Sequence, residues 1–287
     1  MNLKGQMPRT GDMKLGGRLI CLFVGENKSG KTAALATFPG PIKIYNFDGP
    51  GRMQPIKYLY PDLDVEYVNV GPKSINHPDP DLCVISFVEF CQEFERLQDN
   101  CPYGTIAIDS FTSLSTTAVT FQLMARLGDN WNMGKMKTTK GGLPIASWDE
   151  FNGETTAVAM ILDVAKILPC HVIMTAHPLP KTETNKEGEV IRRYTTLASF
   201  GTKVDKIVPG YFTEIWRFIP ESSLTPGEKA RYYFYTQPVG VDYASTALPL
   251  PGKVEITKPR RAYQEVIAEL KKADEFLKLD AKTVTIK

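Results

Sequence analysis

The sequence predicts an α/β protein: a mostly parallel sheet flanked by helices, with antiparallel strands added at its C-terminal side. Two observations carry this. Short apolar runs alternate with amphipathic or alanine-rich runs along most of the chain, as buried parallel strands and their covering helices do. Three of the apolar runs also end in a polar residue, at Asp48, Asp109 and His177. Open parallel sheets bind ligands at the carboxyl ends of their strands.

Taken in order, "RLICLFVGE" (18–26) is a buried strand and "GKTAALATF" (30–38) the helix after it. "IKIYNFDGPG" (42–51) is a second strand closing in a glycine turn, and "VEYVNV" (65–70) a short alternating one. Residues 81–99 place Leu82, Ile85, Val88, Phe94 and Leu97 at helical spacing. "GTIAIDS" (104–110) and "HVIMTAH" (171–177) are further strands. Helices are expected over 114–127 and over 148–168, the second interrupted at Gly153. The glycine-rich stretch 128–144 has no period and reads as a loop. Residues 180–196 read as a hairpin turning at Lys186-Glu187-Gly188. "EIWRFIP" (214–220) and "RYYFYTQP" (231–238) are expected as antiparallel additions, and 259–279 as a closing amphipathic helix. The organisation expected is a core over 1–220 and a strand-and-helix extension over 221–287 packed on it.

The whole-chain properties set limits. A chain of 287 residues with 43% hydrophobic content can bury a full core. A net charge of +2 argues against purely electrostatic nucleic-acid binding but leaves room for a local basic groove. The five cysteines lack CxxC spacing and read as reduced and mostly buried; the three histidines lack metal-ligand spacing. No signal-peptide pattern precedes residue 18, and no apolar run approaches the roughly 20 residues a bilayer requires. The expected location is cytoplasmic (the host cytoplasm, for a phage-encoded chain), with no membrane partner.

Gly25-x4-Gly30-Lys31-Thr32 matches the phosphate-binding P-loop between a strand and a helix. Glycines let backbone N–H groups turn toward phosphate oxygens, and the helix N-terminus aims more of them at the same place. The segment Gly25, Glu26, Asn27, Lys28, Ser29, Gly30, Lys31, Thr32 and Ala33 is therefore the candidate ATP site. Lys31 is the residue for the β- and γ-phosphates, and the Thr32 hydroxyl a ligand for Mg²⁺. Asp109, ending "TIAID", is the second metal residue. Asp48 and Glu26 are the two candidates to orient an attacking water, and His177 the candidate to contact the γ-phosphate and pass its state to the following loop.

The order P-loop, "YNFDGPG", "TIAIDSFTSL" and "VIMTAH" resembles the RecA-like core of P-loop ATPases of the AAA/RecA type. It is most similar to the compact phage-encoded proteins associated with single-strand annealing and recombination. In that resemblance Asp109 and Ser110 stand as the Walker B pair, and His177 takes the place of a glutamine. Pro50 stands where such proteins carry a catalytic glutamate, so Asp48 has to substitute. The resemblance further implies single-stranded DNA bound by the loops at 128–144 and 180–204. Lys135, Lys137, Lys140, Lys186, Arg192 and Arg193 are the candidate contacts, with Trp131 and Tyr194 to stack on bases. It also implies assembly into a ring or filament, or work beside a recombination or replication partner protein.

Three function classes remain open on the sequence: an ATPase acting on single-stranded DNA in phage recombination, annealing or replication; a nucleotide-switched accessory protein such as a helicase loader or packaging factor, with little turnover; and a small-molecule kinase. The kinase is disfavoured because the 128–144 loop has no arginine to clamp a transferred phosphoryl group.

Overall fold

The computed structural model describes residues 17–71, 83–128, 139–140, 145–221, 230–256 and 261–283. Lys135, Lys137 and Trp131 lie outside them.

The chain begins with β1 (Ile20–Gly25), α1 (Lys31–Leu35), β2 (Ile42–Asn46), α2 (Gln54–Leu59), β3 (Val65–Val70) and β4 (Val84–Ile85). There follow α3 (Phe87–Arg96), β5 (Thr105–Asp109), α4 (Phe111–Gly128), α5 (Trp148–Ile167) and β6 (His171–Ala176). The last part comprises β7 (Pro178–Thr184), β8 (Val190–Leu197), α6 (Val204–Ile207), β9 (Glu214–Glu221), β10 (Arg231–Tyr235), β11 (Lys253–Glu255) and α7 (Ala262–Thr283). Among the described residues nine strands form one sheet in the order β11-β10-β9-β1-β6-β5-β2-β3-β4, and β7 pairs with β8 as a separate hairpin.

This is the expected mostly parallel α/β sheet, with several local differences: Ile85, expected at helical spacing, lies on β4, so the helix over 81–99 runs only from Phe87 to Arg96. β9 runs parallel to β1, with Val24 opposite Arg217, so it extends the parallel core; β10 then pairs antiparallel with β9, and β11 antiparallel with β10. Gly153 does not interrupt α5. A Cβ there would lie 2.8 Å from the Gln122 side chain, so the glycine permits a close helix–helix approach instead of a break. The helix expected over 30–38 is regular only to Leu35, and α2 was not anticipated.

The strands sit centrally because both their faces are apolar. One face packs on α3, α4 and α5 through Tyr45, Phe90, Phe94, Ile108, Phe111 and Leu162. The other packs on α1, α2 and α7 through Phe23, Ile44, Ile56, Trp216, Phe234 and Val266. α3 starts on a reciprocal cap: the Glu89 N–H donates to Ser86 Oγ and the Ser86 N–H to Glu89 Oε2, which satisfies two end donors. Trp216 joins β1 to β10. Its ring stacks on Phe23 at 5.3 Å and on Phe234 at 4.5 Å, and its Nε1 donates to Glu214 Oε2 at 3.0 Å. Trp216→Ala should therefore lower unfolding free energy by about 3–5 kcal/mol, read as a fall in the urea midpoint. A loss below about 1 kcal/mol would mean that β9 is not part of the cooperative core.

Candidate functional site

The P-loop leaves β1 at Gly25 and enters α1 at Lys31. Gly30 takes φ 97°, which glycine adopts without strain, and sits at the N-cap of α1. Gly25 is required for a different reason: a Cβ there would meet Ser29 Oγ at 2.4 Å and the Phe218 backbone carbonyl at 2.9 Å. The loop is thus pressed against β9. Ser29 is buried and its Oγ has no hydrogen-bond partner among the described residues.

Lys31 is 6% exposed, and its Nζ donates to the carbonyls of Gly25 at 2.7 Å and Glu26 at 2.9 Å. Burial pulls its pKa down to about 8, against the opposing pull of Asp109, Asp48 and Glu26. Thr32 Oγ1 donates to Asp109 Oδ2 at 2.9 Å, and Thr175 Oγ1 on β6 donates to Asp109 Oδ1. Burial raises the Asp109 pKa, the neighbouring Asp48 charge adds to the rise, and the two threonine hydroxyls oppose it. Asp48 lies just beyond β2, where Ser110 and Ser113 donate to its Oδ1 at 2.7 and 2.6 Å. Ser110 immediately precedes α4 and Ser113 lies in its first turn, where a carboxylate is favoured by the helix end.

His177 follows β6 directly. Its Nδ1 is 3.2 Å from the Gly25 carbonyl, and its N–H donates to Thr112 Oγ1 at 3.2 Å. Burial and then Lys31 lower its pKa, which favours the neutral ring. Lys31, Thr32, Asp48, Asp109 and His177 all line one cavity of about 860 Å³, together with Asn27, Lys28, Ser29, Gly30 and Ala33. Glu26 is different: its side chain is exposed and is not among the residues lining that cavity, and it participates through its carbonyl.

The donor set fits a triphosphate with Mg²⁺. Mg²⁺ is usually held by one or two carboxylates plus substrate phosphates, which Thr32 and Asp109 match. A loop with a buried serine hydroxyl unpartnered among the described residues, and a lysine whose hydrogen bonds there go to backbone carbonyls, matches an anion.

Sequence reasoning did not single out Ser113, Thr175 or Arg217. Arg217 is buried on β9, with Nε 3.0 Å from Asp242 Oδ2. Thr175 was findable as the one polar residue inside the apolar run "HVIMTAH".

The hairpin β7–β8 leaves the site from Pro178, and the Ala198 N–H returns to the His177 carbonyl at 2.8 Å. Lys186, Arg192 and Arg193 are exposed on it, and Lys140 is exposed elsewhere. Arg192 lies 5.1 Å from the ring of Tyr194, which is half-buried. No helix among the described residues is long and apolar enough to cross a membrane.

The Lys31 pKa sets a pH dependence. Phosphate stabilises the ammonium, so the bound pKa must exceed the free value near 8. Above pH 8 the free protein has lost the proton that the complex needs. ATP affinity should therefore fall by up to about tenfold per pH unit above 8, with up to one proton taken up per ATP. Calorimetry in buffers of different ionisation enthalpy checks this; unchanged affinity between about pH 7 and about pH 9.5 would exclude Lys31 as the phosphate partner.

A family model described as "AAA domain" matches residues 18–239. No curated protein sequence matches the chain. Among solved structures, the flagellar accessory protein FlaH from Methanocaldococcus jannaschii is similar at 10% identity and a TM-score of 0.36, over 84% of this chain and 86% of that one.

Proposed function

The chain belongs to the AAA domain family, and from that premise we propose that it is a RecA-like P-loop ATPase that hydrolyses ATP with Mg²⁺ to control its hold on single-stranded DNA, in phage recombination, annealing or replication. The observation that carries the hydrolytic part is the convergence of Lys31, Thr32, Asp48, Asp109 and His177 on one cavity from four separate segments.

Bound ATP and Mg²⁺ supply the reactive triphosphate and the cation that offsets its charge. The chain's own residues do the rest. The P-loop N–H groups and Lys31 hold phosphate oxygens, with Lys31 exchanging its two carbonyl partners for them. Thr32 and Asp109 would hold the Mg²⁺, and Thr175 donates to the Asp109 carboxylate and keeps it oriented. Asp48 orients and deprotonates water, its rotamer fixed by Ser110 and Ser113.

His177 connects this chemistry to DNA, because it precedes the hairpin directly and receives the hairpin's returning strand through Ala198. A shift of its ring when the γ-phosphate leaves would move the hairpin base, and with it Lys186, Arg192 and Arg193. Assembly into a ring or filament belongs to the same reading.

The test is ATP turnover with Mg²⁺, with and without single-stranded DNA, in the wild type and in a Lys186→Ala/Arg192→Ala/Arg193→Ala triple variant. Several-fold stimulation by DNA that the triple variant loses, at unchanged basal turnover, is the expected result. ATP binding without turnover in either condition would overturn it, leaving a nucleotide-switched accessory protein.

A further inference from the structure

The cysteines take no part in the chemistry above, and two of them face each other. All five are free thiols. Cys101 Sγ lies 3.6 Å from Cys170 Sγ and 3.7 Å from the Tyr103 carbonyl oxygen, and its S–H can donate to either. The two residues are 69 apart in sequence, and the sheet brings them together. β5 and β6 are parallel neighbours, with Thr105 opposite His171, and the His171 N–H donates to the Gly104 carbonyl at 3.0 Å. The turn entering β5 and the turn entering β6 therefore lie side by side at the amino edge of the sheet. Asp109 ends β5 and His177 follows β6, so the thiol pair sits at the edge opposite the candidate site.

Three features suit this pair to bond formation. Both cysteines lie outside helix and strand, Cys101 after α3 and Cys170 after α5. Disulfide sulfurs are about 2.05 Å apart, so these two have to close by about 1.5 Å. Side-chain rotation and a small shift of the turns can supply that while the β5–β6 pairing stays intact. Secondly, their exposure is unequal. Cys101 is half-exposed, whereas Cys170 is buried, and burial pushes its pKa up to about 12. An oxidant thus reaches Cys101 first, while Cys170 is held as a thiol. Thirdly, the Arg18 guanidinium donates to the Lys166 and Leu168 carbonyls at the end of α5, where its charge favours a Cys170 thiolate.

We propose that Cys101 and Cys170 are a reversible oxidation site, in which a hydroperoxide converts the two thiols to a disulfide joining the end of α3 to the end of α5. The Cys101 sulfur attacks a peroxide oxygen and becomes a sulfenic acid. The O–O bond breaks, and the departing oxygen takes the Cys101 proton and leaves as water or an alcohol. The Cys170 sulfur then attacks the Cys101 sulfur. The S–S bond forms, the S–O bond breaks, and the hydroxide leaves with the Cys170 proton as water. Two electrons pass from the sulfurs to the peroxide, and a dithiol reductant returns them. The inference is independent of how the nucleotide site is read.

Limiting hydrogen peroxide applied to the whole protein, followed by denaturation, alkylation and peptide mass mapping, tests this. The Cys101 and Cys170 thiols should disappear together, with a mass decrease of about 2 Da in the linked peptides and full reversal by dithiothreitol. Cys21, Cys83 and Cys91 should stay open to alkylation. Cys170→Ser should leave Cys101 as a sulfenic acid that dimedone captures, and Cys101→Ser should leave Cys170 open to alkylation. Because the bond closes a long loop, the oxidised wild type should melt roughly 5–10 °C above the reduced form. Alkylation of all five cysteines after peroxide, a bond between any other two, or an oxidised protein that melts no higher than the reduced one would overturn the proposal.

Discussion

Lys31→Ala is expected to weaken ATP binding by at least about a hundredfold, and with it all turnover. A hydrogen bond to a charged group contributes roughly 1.5–3 kcal/mol, and Lys31 is positioned to make two with phosphate oxygens. Their loss corresponds to about two to four decades in affinity. The variant has an opposite effect on the free protein, because it removes a buried ammonium whose desolvation outweighs its carboxylate neighbours and brings its pKa down to about 8. It also strips the Gly25 and Glu26 carbonyls of their donor. These two effects partly cancel, so the variant should remain folded, and a thermal melt beside the binding isotherm verifies that. ATP affinity within threefold of wild type would mean that the nucleotide does not lie on this loop.

Asp48→Asn is the second large effect, and it has the opposite signature. Turnover should fall by about 10²–10⁴, the usual contribution of a general base, while ATP binding is unchanged or slightly tighter. Asparagine keeps an oxygen to accept from Ser110 and Ser113, so the side chain stays where it is. It also removes a negative charge that works against ionisation of Asp109. Single-turnover hydrolysis at saturating ATP separates the two quantities. Turnover within threefold of wild type would assign the water to another group.

The parts of this site legible in the sequence are those in which one short segment carries both the pattern and the chemistry. The P-loop is one such segment, since its glycines, lysine and threonine have fixed spacing and lie between a strand and a helix. Asp48, Asp109 and His177 were legible because each ends an apolar run, and parallel strands bring their ends to one edge. The direction of β9 was not legible: an apolar strand reads the same way up or down, and only its pairing with β1 decides. Gly153 was misread because a glycine's local preference cannot reveal that Gln122 packs against its bare Cα. That Tyr232 and Ile256 line the cavity was not legible for a related reason. It depends on β9 turning back through β10 and β11 to bring the chain's end onto its beginning, and no local pattern encodes that return.

The two apolar layers on opposite faces of the sheet divide the molecule's tasks. α1, α2 and α7 line the cavity on one side, while α4, α5 and the base of the hairpin lie on the other, where Leu197 and Val204 join the core. What connects them is a thin seam at the carboxyl edge of the strands, formed by Asp48 with its serines and by His177 with Thr112. Under the proposed function, choice of ligand and use of its energy lie on opposite faces of the sheet. A lineage could retune one face by drift without disturbing the other, and only the seam residues would have to change in concert.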